Sequence, residues 1–309
     1  MNFRLQPNAH GLGARVVGLD LSHPLSATDR LSLIAALGRH GVLCFPEQHL
    51  TPRQQRDFAA NFGTLEINVA ANAQESEIPE MMTLSNIIEN GKPIGLSDAG
   101  QDWHTDMSYS KMIAFSNVLY GLRIPMRHGE PLGCTEFCDM HAAYRDLSPE
   151  WKEKLAGKTA LHDFAKFWDK MRSQPGSMRK PLTEAQRAAK PPVSHPVVMR
   201  HPITRESVLY LNPGYSIRIN EMSDNDSAEA LEFLFAHQLQ DQYRYRHRWS
   251  EGDVLMWDNM GTIHNAVADY TPQEPRLIKR FQVMADLFFH ADGSAKPLME
   301  LPSLDAAYA

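Results

Sequence analysis

A chain of 309 residues is long for one domain, but a single large β-barrel or β-sandwich can reach this length. Hydrophobic residues make up 43% of the chain and charged residues 22%, which is typical of a folded globular protein and excludes a disordered one. The net charge of −6 gives no overall attraction to nucleic acid or to an anionic membrane.

The first third of the chain carries clear helix signals. Ser26 and Thr28 precede apolar residues at helical spacing, and Gly41 marks the expected end of that helix. Thr51 followed by Pro52 is a typical start of a second helix, since threonine caps the free amide groups and proline fits the first helical position. We expect both helices to pack outside a sheet.

Short strands dominate the rest of the chain and are separated by Gly, Pro and Asn turns. The predicted strands are VLCF, MMTLSN, MIAFSNVLYGL, CTEFCDM, PVVMRHP, SVLYLN and DVLMWD. One further helix is predicted at residues 226–239, where apolar residues form a stripe. This pattern indicates a mainly β fold with flanking helices, built as a barrel or a double sheet.

Residues 164–194 form the least patterned segment, with seven lysines and arginines, two acidic residues and several prolines. A run of charges of this kind is commonly a solvated loop. The segment also carries Phe164, Phe167 and Trp168, and long loops in compact domains are often functional. A lid over the site is therefore the alternative prediction.

Three residues of metal-ligand type stand near strands. His104 and Asp106 lie two residues apart in WHTDMSY, so on a strand they would share one face, about 6.6 Å apart. His264 follows the strand DVLMWD. Two histidines and one carboxylate form the facial triad that binds Fe(II) and leaves positions open for a co-substrate and O2. Taken alone, the HxD pair could be a chance surface pair or a hydrogen-bonded pair in the core, and His264 alone is also a weak signal.

Two arginines follow the last of these residues. In PRLIKRFQVMADLFF, strand alternation places Arg276, Arg280 and Gln282 on one face. A buried guanidinium needs an anionic partner, and its planar fork matches a carboxylate. Arg276 suits the distal carboxylate of 2-oxoglutarate and Arg280 a second anion. Without the metal triad, two surface arginines would be the simpler interpretation.

Together these motifs, with LGARVVGLDLSHPLS, GVLCFPEQHLTPRQQRDFAANFGTLE and YRHRWSEGDVLMWDN, resemble the taurine dioxygenase and 2,4-dichlorophenoxyacetate dioxygenase (TauD/TfdA) family over nearly the whole chain. The resemblance implies one domain over residues 1–309, folded as a double-stranded β-helix, that is, a cupin-like jelly-roll. Residues 164–194 would be a lid insertion in it. It also implies a soluble enzyme that uses Fe(II), 2-oxoglutarate and O2 and often forms dimers or tetramers.

The resemblance places further residues at the site. His104, Asp106 and His264 correspond to the iron ligands. Thr135 and Arg276 correspond to the residues that hold the co-substrate carboxylate. On the substrate side the expected residues are Arg280, Asn68 and Asn86. Asn68 and Gly100 stand where taurine dioxygenases contact the sulfonate and amine, which disfavours taurine itself.

The predicted activity is hydroxylation of a small anionic substrate, such as an aryloxyalkanoate or another carboxylate, with release of succinate and CO2. The same chemistry on a sulfonate or a sulfate ester is the first alternative. A zinc-dependent hydrolase and a non-catalytic acid-binding jelly-roll are alternatives from other classes.

Location and partners are predicted from simpler signals. Three cysteines indicate neither a disulfide framework nor a structural zinc site, and no run of about 18 apolar residues is present. We therefore expect a cytoplasmic enzyme with no nucleic acid or membrane partner.

Overall fold

The computed structural model describes residues 2–9, 11–67, 77–174, 177, 179–297, 299 and 301. The helices are α1 Ala27–His40, α2 Pro52–Ala59, α3 Met140–Arg145, α4 Pro149–Leu155, α5 Phe164–Arg172, α6 Glu184–Ala189 and α7 Asp224–Gln238. Short 3-10 helices are Ala60–Phe62, Asp241–Tyr243 and Ala285–Leu287. Among the described residues, no helix combines the length and the apolar character needed to cross a membrane.

The strands in chain order are β1 Arg4–Pro7, β2 Ala14–Val17, β3 Val42–Phe45, β4 Met82–Ser85, β5 Ile88–Glu89, β6 Lys92–Pro93, β7 Ala114–Arg123, β8 Met126–Arg127, β9 Glu130–Pro131, β10 Thr135–Asp139, β11 Thr159–His162, β12 Val193–Pro196, β13 Val198–Arg200, β14 Ser207–Leu209, β15 Ser216–Ile219, β16 Arg244–His247, β17 Val254–Asp258, β18 Thr262–Ala266 and β19 Leu277–Met284. Each strand predicted from the sequence is present: β3 has the predicted bounds, β7 begins two residues later and ends one residue later than predicted, and the others are shorter than predicted.

Two sheets face each other. The larger has the strand order β1-β2-β3-β17-β7-β19-β4, and the smaller has the order β16-β10-β18. Between them Phe137 of β10 packs edge-on against Trp257 of β17, with ring centroids 5.4 Å apart. Ile278 of β19 belongs to the same buried layer. The double sheet predicted from the sequence is therefore confirmed, and the metal-ligand candidates lie at one end of it.

The predicted helices pack on the outer face of the larger sheet. Helix α1 is capped by Ser26, whose hydroxyl accepts from the Asp29 amide, and it closes at Gly41 with a positive φ of 67°. Helix α2 has a capping box between Thr51 and Gln54. Both helices belong to the buried apolar cluster that contains Phe281 of β19. The two helices predicted in the first third are confirmed.

Two predictions about helices needed correction. Helix α7 begins two residues earlier than expected, because the Ser223 hydroxyl caps its first turn. The loop interpretation of residues 164–194 is wrong, since this segment forms α5 and α6, which are capped by Asp163 and Thr183. Its charged residues hid an apolar side: Phe167 and Met171 of α5 are buried.

Helix α2 depends on Phe58, whose ring lies edge-on between Phe45 and Phe62 with centroid separations of 5.4 and 5.3 Å. We predict that Phe58→Ala lowers the free energy of unfolding by about 3–5 kcal/mol, because it leaves a cavity in the core. Ile88→Ala, at a side chain that is 66% exposed, should change it by less than about 0.5 kcal/mol. Urea unfolding followed by circular dichroism measures both; equal midpoints would contradict the packing role.

Candidate active site

The two histidines are joined through their main chains. The amide of His104 donates to the carbonyl of His264 at 3.0 Å, and the amide of His264 donates back at 2.7 Å. This isolated antiparallel bridge brings the two imidazole centroids to 4.2 Å. His264 itself lies within β18, not after a strand as expected. The bridge therefore fixes both rings next to each other.

Asp106 reaches the histidines in a different way from the one predicted. It lies in a turn and not on a strand, and the following residue, Met107, has a positive φ of 58°. Its Oδ1 lies 3.6 Å from Nε2 of His104, and its Oδ2 lies 3.8 Å from Nε2 of His264. All three side chains are buried. The turn, rather than strand alternation, makes the carboxylate converge with the imidazoles.

The protonation states of this triad fit a cation. The Nδ1 of His104 lies 2.7 Å from the Asp102 carbonyl, so it donates there and its Nε2 faces Asp106. Although burial opposes it, Arg280 and the imidazoles hold the pKa of Asp106 well below its usual value. Burial, together with His104, lowers the pKa of His264. An ionised carboxylate and neutral imidazoles are the donors that Fe(II) prefers.

Buried amides support Asp106 from behind. Asn117 of β7 donates from Nδ2 to Oδ2 of Asp106 at 2.8 Å. Asn259 faces Asn117, and Trp257 donates to the Asn259 Oδ1 at 2.9 Å. The sequence analysis missed these residues. The signal was available, since an asparagine inside the apolar strand MIAFSNVLYGL needs a buried hydrogen-bond partner.

Two other clusters have metal-like geometry but lack the same fit. His141, His201 and Asp258 form one, and Cys44, His247 and Asp253 form the other. The Nδ1 of His201 accepts from the amides of Ile203 and Thr204, so its Nε2 carries the hydrogen that points to Asp258 at 2.7 Å. In the second cluster, burial raises the pKa of the Cys44 thiol, which disfavours the metal-binding thiolate.

Arg276 immediately precedes β19, and Thr135 is the first residue of β10. Arg276 is 6% exposed, and its Nη2 donates to the Gly133 carbonyl at 3.0 Å, two residues before Thr135. No ion pair of Arg276 is found within the described ranges. A buried guanidinium without a carboxylate partner is costly unless an anion joins it, so Arg276 is suited to a bound acid. The Thr135 hydroxyl accepts from Trp249 Nε1 at 3.0 Å, which leaves its hydrogen available.

Gly133 makes room for this arrangement. It adopts a positive φ of 67°, and a Cβ atom at this position would lie 2.5 Å from Nε of Arg276. Such a contact is shorter than van der Waals packing allows, so a larger residue would displace the guanidinium.

Arg280 lies beside the triad. Its Nη1 is 3.6 Å from Oδ2 of Asp106, and its Nη2 is 3.0 Å from the sulfur of Met82. Its Nε atom is buried without a hydrogen-bond partner. The two arginines thus have different surroundings: Arg280 borders the cavity over the triad, while Arg276 contacts Gly133 and the ring of Tyr270.

Of the two asparagines expected on the substrate side, Asn86 is described by the structure, and it contacts the loop before β19. Asn86 accepts from the amide of Arg276 at 2.8 Å and donates to the carbonyls of Thr271 and Glu274. Its amide group is therefore engaged in holding the loop before β19, and it does not line the cavity over the triad, which corrects the expectation. Asn68 lies outside the described residues.

A cavity of about 210 Å³ opens over the triad. Its wall is largely aromatic: Phe167 lies 5.1 Å from His104 between ring centroids, and Tyr215 lies 6.0 Å from it. Helices α5 and α6 and the segment between them supply Phe164, Phe167, Trp168, Arg179, Leu182, Gln186 and Ala189 to this wall. The 164–194 segment thus covers the triad, which suits an apolar ligand with few polar groups.

The hydrogen bond from Asn117 predicts a measurable effect on metal affinity. We expect Asn117→Ala to weaken binding of Mn(II), used as a probe for Fe(II), by about 10- to 100-fold, because the carboxylate loses its orientation. Asn265→Ala is the control, since Asn265 lies next to His264 but donates to Glu136 on the outside. Titration followed by electron paramagnetic resonance gives both affinities. Unchanged affinity in a folded Asn117→Ala variant would refute the role.

Comparison with known proteins agrees with this geometry. The family model "Taurine catabolism dioxygenase TauD, TfdA family" matches residues 3–282. The alpha-ketoglutarate-dependent 2,4-dichlorophenoxyacetate dioxygenase of Cupriavidus pinatubonensis is 31% identical over 262 residues, 81% of this chain and 87% of the relative. The alpha-ketoglutarate-dependent sulfate ester dioxygenase of Pseudomonas putida is 30% identical over 304 residues, 94% and 92% of the two chains.

A solved structure extends the agreement to the fold. The crystal structure of AAD-2 in complex with Mn(II) and N-oxalylglycine superposes with a TM-score of 0.75 at 27% identity and covers 92% of this chain and 98% of that one. The jelly-roll prediction is confirmed. The chain belongs to the TauD/TfdA family and is a non-haem iron dioxygenase that uses Fe(II), O2 and 2-oxoglutarate.

Proposed function

We propose that this enzyme hydroxylates a small anionic substrate with an apolar, ring-bearing body, an aryloxyalkanoate-like carboxylate being the first candidate. The observation that carries the proposal is Arg280, a cation beside Asp106 at the base of a cavity with an aromatic wall. If the hydroxylated carbon bears an ether oxygen, the product loses that substituent and the net reaction is cleavage.

Within this proposal, His104, Asp106 and His264 hold the iron. When bound, iron and 2-oxoglutarate supply the activation of O2 for attack on a C–H bond. The chain contributes the neutral imidazoles, the ionised carboxylate and the Asn117 hydrogen bond that orients it. Each of these is held by buried contacts before any ligand arrives, which limits the reorganisation that binding requires.

Thr135 and Arg276 hold the distal carboxylate of 2-oxoglutarate. Arg276 offers a planar fork from a buried position, and the Thr135 hydroxyl can donate because Trp249 already occupies its acceptor side. Asn86 acts on this site indirectly, by fixing the backbone of Arg276.

Substrate selection falls to Arg280 and the aromatic wall. The guanidinium pairs with the acid group, while Phe167 and Tyr215, which both pack on His104, exclude water from the C–H bond to be attacked. Position relative to the iron, rather than intrinsic reactivity, then decides which carbon is oxidised.

A sulfonate or a sulfate ester is the second candidate. A guanidinium binds these tetrahedral anions as well as carboxylates, and one relative of this chain is named for sulfate esters. A panel of aryloxyacetates, sulfonates and alkyl sulfates, compared by substrate-triggered succinate formation, separates the two candidates.

Residues 164–194 act, in our proposal, as a lid on the jelly-roll of residues 1–309. Support comes from the ion pairs that join this segment to the body: Lys170 to Asp102 at 2.5 Å, and Arg179 to Asp98 at 2.7 and 3.0 Å. The Lys170–Asp102 pair is partly exposed and contributes little stability, whereas the two-point Arg179–Asp98 pair is largely buried and favours the closed position.

We also infer a cytoplasmic enzyme that forms homodimers or homotetramers. The three cysteines are free and buried, which suits a reducing compartment. Light scattering of the purified protein measures the oligomeric state, and fractionation of cells measures the location.

The activity itself is tested by succinate formation from 2-oxoglutarate with Fe(II), ascorbate and O2. We expect His104→Ala to abolish it and Arg276→Gln to raise the KM for 2-oxoglutarate about 10- to 100-fold, since a charge-assisted hydrogen bond is worth about 1.5–3 kcal/mol. His23→Ala, at a side chain that is 77% exposed, is the control. Succinate formation that needs no O2, or that survives His104→Ala, would refute the proposal.

Closure of the lid is tested with trypsin, since the segment is rich in lysine and arginine. We expect cleavage within residues 164–194 to slow markedly when Mn(II), 2-oxoglutarate and 2,4-dichlorophenoxyacetate are present together, because ligands that bind the closed form stabilise it. Mass spectrometry of the fragments locates the cuts. Equal cleavage with and without ligands would count against a lid.

A further inference from the structure

Three cations line the cavity, and they differ in how their charge is balanced. Arg179 forms a two-point ion pair with Asp98, and Arg280 faces Asp106 at 3.6 Å. The ammonium group of Lys190 makes no hydrogen bond and no ion pair within the ranges that the structure describes. Lys190 is thus the cavity cation that lacks a direct ion pair there, and Glu66 acts on its charge from beyond ion-pair distance.

Aromatic rings hold this ammonium group in place. Its Nζ lies 4.9 Å from the ring centroid of Tyr109 and 4.8 Å from that of Phe164. Both contacts are cation–π interactions, which fix a cation without using its hydrogen-bond donors. Lys190 is half-buried, and burial lowers its pKa while the more distant Glu66 opposes this change. The three N–H groups are therefore positioned but not satisfied by the protein.

Lys190 and Arg280 line the same cavity but contact different residues. Arg280 approaches the triad directly, through Asp106. Lys190 contacts Tyr109, whose ring packs on Tyr215 at 4.8 Å, and Tyr215 in turn packs on His104 at 6.0 Å. Two aromatic side chains thus connect Lys190 to His104.

We propose that Lys190 binds a second acidic group of the substrate, remote from the carbon that is oxidised. The substrate class is then a diacid with a rigid apolar body: one carboxylate pairs with Arg280, the body lies along the aromatic wall, and the other carboxylate pairs with Lys190. This inference rests on the proposed function, because it takes Arg280 as the first anion site. A half-buried ammonium group binds an anionic ligand more strongly than a fully solvated one does, because the anion replaces the favourable interaction with water that burial removed.

The inference is tested by binding rather than turnover. The probes are phenylacetate and its diacid counterparts, 1,3- and 1,4-phenylenediacetate, titrated calorimetrically into enzyme loaded with Mn(II) and 2-oxoglutarate without O2. We expect the better diacid to bind at least about tenfold more tightly than phenylacetate, equivalent to about 1.4 kcal/mol. Lys190→Gln should remove this preference and leave phenylacetate binding unchanged, whereas Lys190→Arg should retain it.

Lys180→Gln is the matched control, because Lys180 lies on the same segment and its main-chain carbonyl, which the substitution retains, accepts a hydrogen bond from Trp168 Nε1. A diacid preference that is absent in the parent enzyme, or that survives Lys190→Gln, overturns the inference. Failure of the proposed function gives different results. In that case Arg280→Gln would bind phenylacetate and the diacid as tightly as the parent enzyme does, or the holoenzyme would form no succinate from 2-oxoglutarate. Unchanged phenylacetate affinity also shows that Lys190→Gln is folded.

Discussion

The pair of main-chain hydrogen bonds between His104 and His264 sets the geometry on which the whole site depends. It ties an irregular segment, which no sheet contains, to β18 in the smaller sheet. Because β18 pairs with β10, the same register also places Thr135 opposite Ala266. His104, His264 and Thr135 are therefore positioned by connected main-chain hydrogen bonds, whereas Asp106 is positioned by the turn that follows His104. Backbone bonds of this kind are short and directional, so the rings cannot drift apart without breaking strand pairing.

A second constraint is charge balance, which differs between Asp106 and Arg276. Asp106 is surrounded by Arg280, two imidazoles and the Asn117 amide, so its ionised form is strongly favoured even before a metal binds. Arg276 has the opposite situation, since burial lowers its pKa and Gly133 offers it only a carbonyl. The site thus holds one anion stabilised in advance and one buried cation that gains from an incoming carboxylate.

Much of the fold could be predicted from the sequence because the signals were local. Ser26, Gly41 and the Thr51 capping box mark helix ends through contacts within a few residues, and the strands follow from short apolar runs. Helix α5 escaped prediction because its buried side chains, Phe167 and Met171, are outnumbered by charged residues, and α6 because none of its side chains is buried. The charged composition of this segment predicts a loop, but the packing of its apolar side chains against the rest of the protein stabilises a helix.

For the site, the residue types were predictable but several contacts were not. The HxD spacing identified His104 and Asp106, yet the carboxylate arrives through a turn at Met107 that no periodicity encodes. Asn86 was expected to contact the substrate, but it holds the backbone before β19. The sequence did not predict these contacts, because the partners of Asn86 lie more than 180 residues further along the chain. Long-range pairings of this kind depend on topology, which a single sequence specifies only indirectly.

Asp102 adds a connection that reaches beyond the pocket wall. Its carbonyl accepts from Nδ1 of His104 and so selects the tautomer of that ring, while its carboxylate pairs with Lys170 of α5. One residue therefore touches both a metal-ligand candidate and the covering segment. Movement of α5 that breaks the Lys170 ion pair changes the electrostatic potential at His104 and therefore the free energy of binding a cation there. By reciprocity, a bound cation changes the free energy of that movement by the same amount. In the proposed lid, occupancy of the metal position would therefore be coupled to the position of α5 through Asp102.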